Sequence, residues 1–275
     1  MLDSKEKSLQ DFIQLFKTVM VAYSGGLDSS LLLFMTLKTL GPERTWGVTS
    51  VSASLAADEK DAADKIAVEI GLPAERHILI KTNEMSDPRY VSNNPDRCYF
   101  CKTELFSHLR KLAVDKNVDV IFDGTNLSDL SDYRPGRAAA NEKKIVSPFV
   151  ETGFTKEDVR VLARKYGLTF SEKPATPCLA SRIPYGTEVT IERLRQIEAA
   201  ELALRELGFK GFRVRYHHDV ARLELSQNDI LRIFENGVRQ KIIDAIKNAG
   251  FRYASIDLEG YRQGSLNEGL GKKEQ

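Results

Sequence analysis

The sequence is short of cysteine, of long apolar runs and of net charge, and each shortage excludes a class of protein. Its three cysteines are an odd number and too few for a scaffold held by disulfides. No apolar run reaches the roughly 18 residues of a membrane-spanning helix, and the N-terminal stretch MLDSKEKSLQDF has no apolar signal core. We therefore predict a cytoplasmic protein without a membrane partner.

The small net charge bears on whether the protein binds nucleic acid. The formal net charge is +1, so the chain as a whole exerts no strong pull on nucleic acid, and no nucleic-acid partner is expected. The sequence shows no internal repeat and no low-complexity segment. Its hydrophobic fraction of 42% is enough for a packed core, and 275 residues allow one large domain or two ordinary ones.

Two widespread phosphate-binding signatures are missing as well, since the chain has neither GxxxxGK[ST] nor GxGxxG. It has instead a short apolar run, Val19 to Ala22, which predicts a buried parallel strand. The turn SGGLDSS follows, and then a helix predicted to end at Leu40. A glycine pair between a strand and a helix lets backbone N–H groups converge on an anion, and the helix N-terminus adds its positive end.

This turn supplies the candidate residues of a nucleotide site. Its glycines can adopt positive φ at little cost, and its hydroxyl groups add hydrogen-bond donors. The candidate phosphate-binding residues are Ser24, Gly25, Gly26, Ser29 and Ser30. Asp28 can hold a Mg²⁺ ion that accompanies the phosphates. The alternative is an ordinary strand–turn–helix connection with no ligand.

Strands and helices alternate up to Gly167, which predicts an α/β fold with a parallel sheet and helices on both faces. Further strands are predicted over residues 45–51, 77–80, 118–122 and 145–146. The polar loop DGTNLSD follows the strand at 118–122, and its candidate residues are Asp123, Gly124 and Thr125. Ligands of open α/β sheets bind beyond the carboxyl ends of the strands, so the two polar loops are predicted to share one crevice. A plain turn is the alternative for the second loop.

The pattern changes after Gly167. We predict a nucleotide domain over residues 1–170, an inter-domain segment over 171–187 and a second, smaller α+β domain over 188–275. The inter-domain segment contains three prolines and has no periodicity. The last domain is predicted to run α-β-β-α-β, with a helix of about 20 residues that starts at Asn228. Arg213 and Arg215 lie two residues apart on a predicted strand and therefore share one face.

The three cysteines allow four interpretations. Cys98 and Cys101 begin a predicted helix and share one of its faces, and Cys178 lies in the 171–187 segment. A structural zinc ion needs a fourth ligand, and no histidine sits at ligand spacing. A redox dithiol would use Cys98 and Cys101 alone, and three unrelated cysteines are the third alternative. In the fourth, three thiolates hold a [4Fe-4S] cluster, which leaves one iron open for a sulfide.

Several motifs together carry a family resemblance. SGGLDSS resembles the pyrophosphate loop (PP-loop) of the ATP pyrophosphatases, whose fold is adenine nucleotide α hydrolase-like. GTNxxD also resembles a stretch near the nucleotide in PP-loop synthetases. Over nearly the whole chain the sequence resembles the PP-loop sulfur transferases of nickel-pincer nucleotide cofactor biosynthesis, the LarE family. The stretches that match are VAYSGGLDSS, DYRPGR, SRIPYGT, GFRVRYHHDVARLEL and GFRYASIDLEGYRQG.

The resemblance implies an activity and its cofactors. Members of the family use ATP to adenylate a carboxylate of pyridinium-3,5-biscarboxylic acid mononucleotide, release pyrophosphate and convert the carboxylate to a thiocarboxylate. One class gives up the sulfur of a single cysteine. This chain resembles the three-cysteine class, which carries a [4Fe-4S] cluster. The resemblance thus implies ATP, Mg²⁺ and the cluster as cofactors, a sulfide donor as partner, and Cys98, Cys101, Cys178 and Asp28 as catalytic residues. A homo-oligomer is also expected.

The resemblance further implies residues for the substrate. Those predicted to bind its phosphate and carboxylates are Ser181, Arg182, Arg213 and Arg215. In the basic loop DYRPGR, Arg134 is a further substrate candidate, which either reaches a phosphate or is simply solvated. Glu201 and Glu224 match the family's acidic metal or phosphate site. The alternative for Arg213 and Arg215 is that they lie on the exposed face of a hairpin. The alternative for Glu201 and Glu224 is that they are solvated surface carboxylates. Two rival functions are a PP-loop tRNA thiolase with a [4Fe-4S] cluster and a non-catalytic nucleotide-binding protein with a zinc site.

Overall fold

The structure, a computed structural model, describes residues 2–131, 135–174, 176–262 and 264–268. The chain divides into two compact units. The first consists of Met1–Tyr90 and Pro95–Thr176, and the second of Val91–Asn94 and Pro177–Gln275. Over the described ranges, no helix combines the length and the apolar character that crossing a membrane requires.

The first unit is built from strands that alternate with helices. Its strands are β1 (Val19–Ala22), β2 (Thr45–Val51), β3 (His77–Lys81) and β4 (Val120–Phe122). The helices up to residue 165 are α1 (Leu2–Gln14), α2 (Leu27–Leu40), α3 (Ala57–Glu69), α4 (Pro88–Val91), α5 (Arg97–Asp115), α6 (Gly136–Glu142), α7 (Pro148–Glu151) and α8 (Lys156–Lys165).

The four strands form one parallel sheet in the order β3-β2-β1-β4. An isolated parallel bridge between Phe122 and Val146 adds a fifth segment beyond β4. Helices follow the strands and return the chain to the same end of the sheet, as parallel pairing requires. The predicted α/β class is therefore confirmed.

Helices cover both faces of this sheet because the central strand β1 is apolar on both sides. Val19 and Val21 point into a core that they share with α1, α2 and α8. Met20, one residue out of phase, points into a second core with α5 and α6. All three residues are fully buried. Because successive side chains of a strand point to opposite faces, β1 presents apolar side chains on both faces, and helices cover each of them.

The second unit contains a smaller sheet. Its elements are α9 (Ile191–Glu206), β5 (Arg213–His217), β6 (Val220–Glu224), α10 (Gln227–Arg232), α11 (Val238–Asn248) and β7 (Tyr253–Ile256). β5 and β6 form the predicted hairpin, with Arg213 opposite Glu224, and β7 pairs in parallel with β6. This mixed sheet with its helices is the predicted small α+β fold.

One predicted element of this unit is wrong. In place of a single helix of about 20 residues from Asn228, the structure has α10 and α11 with a turn between them. Gly237 ends that turn with φ +79°, in the left-handed region that interrupts a helix. The Asn236-Gly237 pair is the turn signal that the apolar periodicity concealed.

Candidate functional site

The turn between β1 and α2 has the backbone shape of an anion-binding loop. Gly25 has φ +71°, and a Cβ atom added to it would lie 2.6 Å from the Cβ of Ala63. Only glycine therefore fits, both for its conformation and because α3 packs directly against the loop. Gly26, the residue before α2, offers no side-chain cap, so the first backbone N–H groups of the helix stay available to a ligand.

Two serines shape this loop. The Ser29 hydroxyl accepts a hydrogen bond from the Ser24 backbone at 3.1 Å and donates to the Gly26 carbonyl at 3.2 Å. The Ser24 hydroxyl, on an exposed residue, lies 3.1 Å from that of Ser29. Ser30, by contrast, is fully buried. The structure thus brings Ser24 to the surface of the loop and places the Ser30 side chain in the interior of the unit.

The loop after β4 meets the PP-loop, as its position in the fold predicted. A Cβ atom on Gly124 would lie 2.8 Å from the backbone nitrogen of Ser29. The fully buried Asn126 donates from its side-chain amide to Asp28 Oδ1 at 3.0 Å. Glycine at 124 thus lets two loops nearly 100 residues apart in sequence touch backbone to backbone.

Asp123 organises the second loop. Its carboxylate accepts hydrogen bonds from the Thr125 hydroxyl at 3.0 Å and from the Ser147 hydroxyl at 2.6 Å. The residue is buried, so these hydrogen bonds replace the water that its charge would otherwise hold. This arrangement makes Asp123 a support for the loop geometry, and Ser147 is a partner that the sequence analysis missed.

Two lysines that the sequence analysis also missed reach the PP-loop. Lys156, the first residue of α8, forms an ion pair with Asp28 Oδ2. Lys173 donates to the Gly25 carbonyl at 2.9 Å and pairs with Glu59 at 2.9 Å. A lysine at the start of a helix faces the positive end of the helix dipole. That position is unfavourable for a cation unless a negative group lies nearby, and Asp28 is that group for Lys156.

A capping box explains why Lys156 sits there. The Asp158 carboxylate accepts from the Thr155 backbone at 2.8 Å, and the Thr155 hydroxyl accepts from the Asp158 backbone at 3.2 Å. Both bonds of the box are present, so α8 begins directly after Thr155. The Lys156 backbone also donates to the Ser128 hydroxyl at 3.1 Å, so this helix start is tied to the loop after β4.

In the second unit, Arg182 and Glu201 form a buried two-pronged ion pair. Both hydrogen bonds measure 2.9 Å, and the side chains are 3% and 4% exposed. The other end of the guanidinium donates to the Cys178 carbonyl and to the Ser181 hydroxyl, each at 3.1 Å. Glu201 also accepts from the Val214 backbone at 3.1 Å. The pair therefore holds the Cys178 segment against α9 and β5.

Arg213 and Arg215 are buried too, so the exposed-hairpin alternative is wrong. Arg215 pairs with the fully buried Glu224 at 2.8 Å and donates to the Ser181 carbonyl at 2.7 Å. Burial lowers the pKa of the Arg213 guanidinium, and the neighbouring charge of Arg182 lowers it further. Three guanidinium groups are thus gathered in one low-dielectric region, and two of them, those of Arg182 and Arg215, are paired with the carboxylates of Glu201 and Glu224.

Glu201 and Glu224 are buried as well, so the alternative that they are solvated surface carboxylates is wrong. An unpaired carboxylate is costly to bury, and each of these two is paired with an arginine. Over the residues that the structure describes, no group of three or more His, Cys, Asp and Glu side chains is arranged to hold a metal ion. Their assignment as metal ligands stays a prediction.

The cysteines are divided between the two units. Cys98, which is exposed, and Cys101, which is half-buried, lie near the start of α5 in the first unit. Cys178, which is exposed, precedes the 3₁₀ turn Leu179–Arg182 in the second unit. The helix places the first two thiols one turn apart, as predicted. Thiolates are ligands for several soft metal centres, among them zinc and iron–sulfur clusters, so the cluster stays a prediction.

The DYRPGR motif is only partly described. Arg134, predicted to bind substrate, lies outside the described residues. Arg137 of the same motif is half-buried near the start of α6. Together with Thr125 and Ser147 it lines a cavity of about 230 Å³ in the first unit.

Comparisons with known proteins cover nearly the whole chain. No protein-family model matches it. The chain is 40% identical to an uncharacterized protein of Synechocystis sp., over 99% of this chain and 100% of the relative. It is 30% identical to an uncharacterized protein of Methanocaldococcus jannaschii, over 90% and 91%. It is 37% identical to pyridinium-3,5-bisthiocarboxylic acid mononucleotide synthase of Lactiplantibacillus plantarum, over 98% and 96%. The chain therefore belongs to the family of that synthase, the LarE family.

Proposed function

We propose that this protein is an ATP-dependent sulfur transferase that converts carboxylates of pyridinium-3,5-biscarboxylic acid mononucleotide to thiocarboxylates. The name of the Lactiplantibacillus plantarum relative supplies the product. The observation that carries the proposal is the meeting of two strand-end loops at one carboxylate, through the 3.0 Å hydrogen bond from Asn126 to Asp28. That junction gives an anion-binding loop and a carboxylate for Mg²⁺ in the same place.

The first step of the proposed reaction is adenylation. A carboxylate oxygen of the substrate attacks the α-phosphorus of ATP, and pyrophosphate leaves with the electron pair of the broken P–O bond. The free N–H groups at the start of α2 and the Ser24 hydroxyl bind the departing pyrophosphate. Lys173 holds the loop in shape through the Gly25 carbonyl. Mg²⁺, when bound, would be held by Asp28 and would neutralise phosphate charge.

The second step exchanges oxygen for sulfur. Hydrosulfide adds to the acyl carbon of the adenylate, AMP leaves with the bridging oxygen, and one proton is released. We propose that Cys98, Cys101 and Cys178 hold a [4Fe-4S] cluster, which would supply the sulfide from an iron without a protein ligand. Their sulfur donors and their exposure support this assignment.

The buried arginines of the second unit are proposed to bind the anionic substrate. Arg213 and Arg215 project from alternate positions of β5, on the same face. Arg182 lies close enough to Arg213 for its charge to lower the pKa of that group. Arg182 and Arg215 already pair with Glu201 and Glu224, and a phosphate or carboxylate of the substrate would add a further negative charge that accepts paired hydrogen bonds from guanidinium groups. Ser181 is held between two of these arginines by its hydroxyl and its carbonyl.

We expect ATP to be split between the α and β phosphates. The protein is incubated with ATP, Mg²⁺, sulfide and the pyridinium biscarboxylate labelled with ¹⁸O in its carboxylates. AMP and pyrophosphate should form in equal amounts, and the AMP should carry ¹⁸O because the bridging oxygen leaves with it. Unlabelled substrate in ¹⁸O-water is the control and should give unlabelled AMP. ADP and phosphate as the main products would refute the adenylation step.

We also expect the three cysteines to survive turnover. Protein purified without oxygen should contain about four irons per chain, and replacing any one cysteine with alanine should lower that content. After several turnovers with added sulfide, peptide mass spectrometry should find Cys98, Cys101 and Cys178 intact. Dehydroalanine at position 178, a mass loss of about 34 Da, with no more than one product per chain would indicate a sacrificial cysteine instead.

A further inference from the structure

Lys156 occupies one side of the carboxylate that the proposed function assigns to Mg²⁺. Its ammonium group pairs with Asp28 Oδ2, while the Asn126 amide donates to Oδ1 at 3.0 Å. Both oxygens of Asp28 therefore already have donors from the chain itself. A magnesium ion that binds Asp28 has to compete with the Lys156 ammonium, because two cations share one small anion.

The Lys156 side chain is able to move although its backbone is fixed. Its backbone N–H is held by the Ser128 hydroxyl at 3.1 Å, and its neighbour Thr155 caps α8. The side chain is 34% exposed, and over the described residues Asp28 is the one acceptor of its ammonium group. Lys173 differs, since it is 16% exposed and bound to both Gly25 and Glu59. Of the two lysines, Lys156 is the one whose flexible stem can change partner.

The charges around Lys156 determine which new partner its ammonium group would take. Lys156 stands at the positive end of the α8 dipole, so it gains from any anion that comes near. Asp28 carries one negative charge, whereas a bound triphosphate carries several. Once Mg²⁺ takes Asp28, the ammonium group loses its partner beside the loop that binds the phosphates.

We propose that Lys156 is a partner-switching residue: it neutralises Asp28 in the ligand-free protein and transfers to the phosphates of ATP when Mg²⁺ binds Asp28. This inference rests on the proposed function, because it takes ATP as the ligand of the PP-loop. It assigns to Lys156 a direct contact with the nucleotide that the sequence motifs do not contain.

The first measurement is equilibrium binding of α,β-methylene-ATP, which cannot be cleaved at the α–β position. Isothermal titration with the full chain and Mg²⁺ should show Lys156→Met about ten- to a hundredfold weaker than wild type, the range expected for a lost charge-assisted hydrogen bond. The matched control is Lys5→Met. Lys5 pairs with Asp158 on the same turn of α8 at 2.6 Å, and its exposure, 31%, is close to that of Lys156. That variant should bind as wild type does.

The second measurement separates a transferred lysine from a static one. In an Asp28→Asn background the lysine has no carboxylate to neutralise. If Lys156 transfers to the phosphates, Lys156→Met should weaken analogue binding in that background at least as much as in wild type. If its role is only to hold Asp28, the second substitution should change nothing there. Wild-type affinity in Lys156→Met, or no further loss in the Asp28→Asn background, overturns the inference.

Failure of the inference and failure of the proposed function look different. If wild type binds the analogue and Asp28→Asn weakens that binding, the PP-loop assignment holds whatever Lys156 does. If wild type does not bind the analogue, the proposed function is refuted, and this inference with it. Equal melting temperatures for Lys156→Met and Lys5→Met exclude misfolding as the cause of a difference.

Discussion

Asp28→Asn is expected to slow adenylation by about a hundred- to a thousandfold. A metal ion held at this carboxylate contributes several kcal/mol of charge stabilisation in the transition state, and every 1.4 kcal/mol is about tenfold in rate. Asparagine has the same shape and still offers an oxygen to the Asn126 amide. The measurement is single-turnover release of pyrophosphate at saturating ATP and Mg²⁺.

The fold should survive this substitution. Asp28 is 25% exposed at the start of α2 and outside the apolar core, so we expect the unfolding free energy to stay close to that of wild type. Asp64→Asn is the matched control, because Asp64 is also a helix carboxylate paired with a lysine, Lys60, at 2.8 Å. It should leave the rate unchanged. A rate loss below about threefold in Asp28→Asn would show that the carboxylate does not serve the reaction.

Glu201→Ala is expected to destabilise the second unit by about 3–5 kcal/mol. It leaves the Arg182 guanidinium buried without its carboxylate, and removal of one partner from a buried ion pair costs that much. The Val214 backbone N–H loses an acceptor at the same time. Since whole domains are stable by about 5–15 kcal/mol, this is a large fraction of the total. Urea unfolding followed by far-UV circular dichroism measures the change.

Two further variants sharpen this test. Glu206→Ala removes an exposed carboxylate from the same helix and should change the unfolding free energy by less than about 0.5 kcal/mol. A double variant with leucine at positions 182 and 201 should recover part of the loss, because it leaves no buried charge unpaired. A loss below about 1 kcal/mol in Glu201→Ala would mean that water screens the pair.

The glycine turns show how far local pattern can predict a site. The strand–turn–helix around SGGLDSS was predictable because an apolar β-branched run, two glycines and an apolar helix are local signals. The capping box at Thr155 was predictable for the same reason. The break at Gly237 was missed where helical periodicity on both sides hid a two-residue turn signal.

Burial of the polar groups was not predictable. The alternation of side chains along β5 places Arg213 and Arg215 on one face, but it does not show whether that face is exposed to solvent or buried. Packing in the second unit buries that face and brings Glu224 and the Ser181 carbonyl into contact with Arg215. From the sequence, Glu224 is expected to be a charged surface residue, but in the structure its carboxylate belongs to a buried ion pair.

By itself, the sequence determined the parallel α/β fold, the PP-loop and the family motifs, because each depends on residues close together along the chain. Tertiary structure alone decided the contacts that complete the site. Gly124 meets the start of α2 because two neighbouring strands end at one edge of the sheet. Lys156 reaches Asp28 across 128 residues because α8 packs beside α2. No local periodicity encodes such pairs, since their geometry follows from how the strands and helices pack.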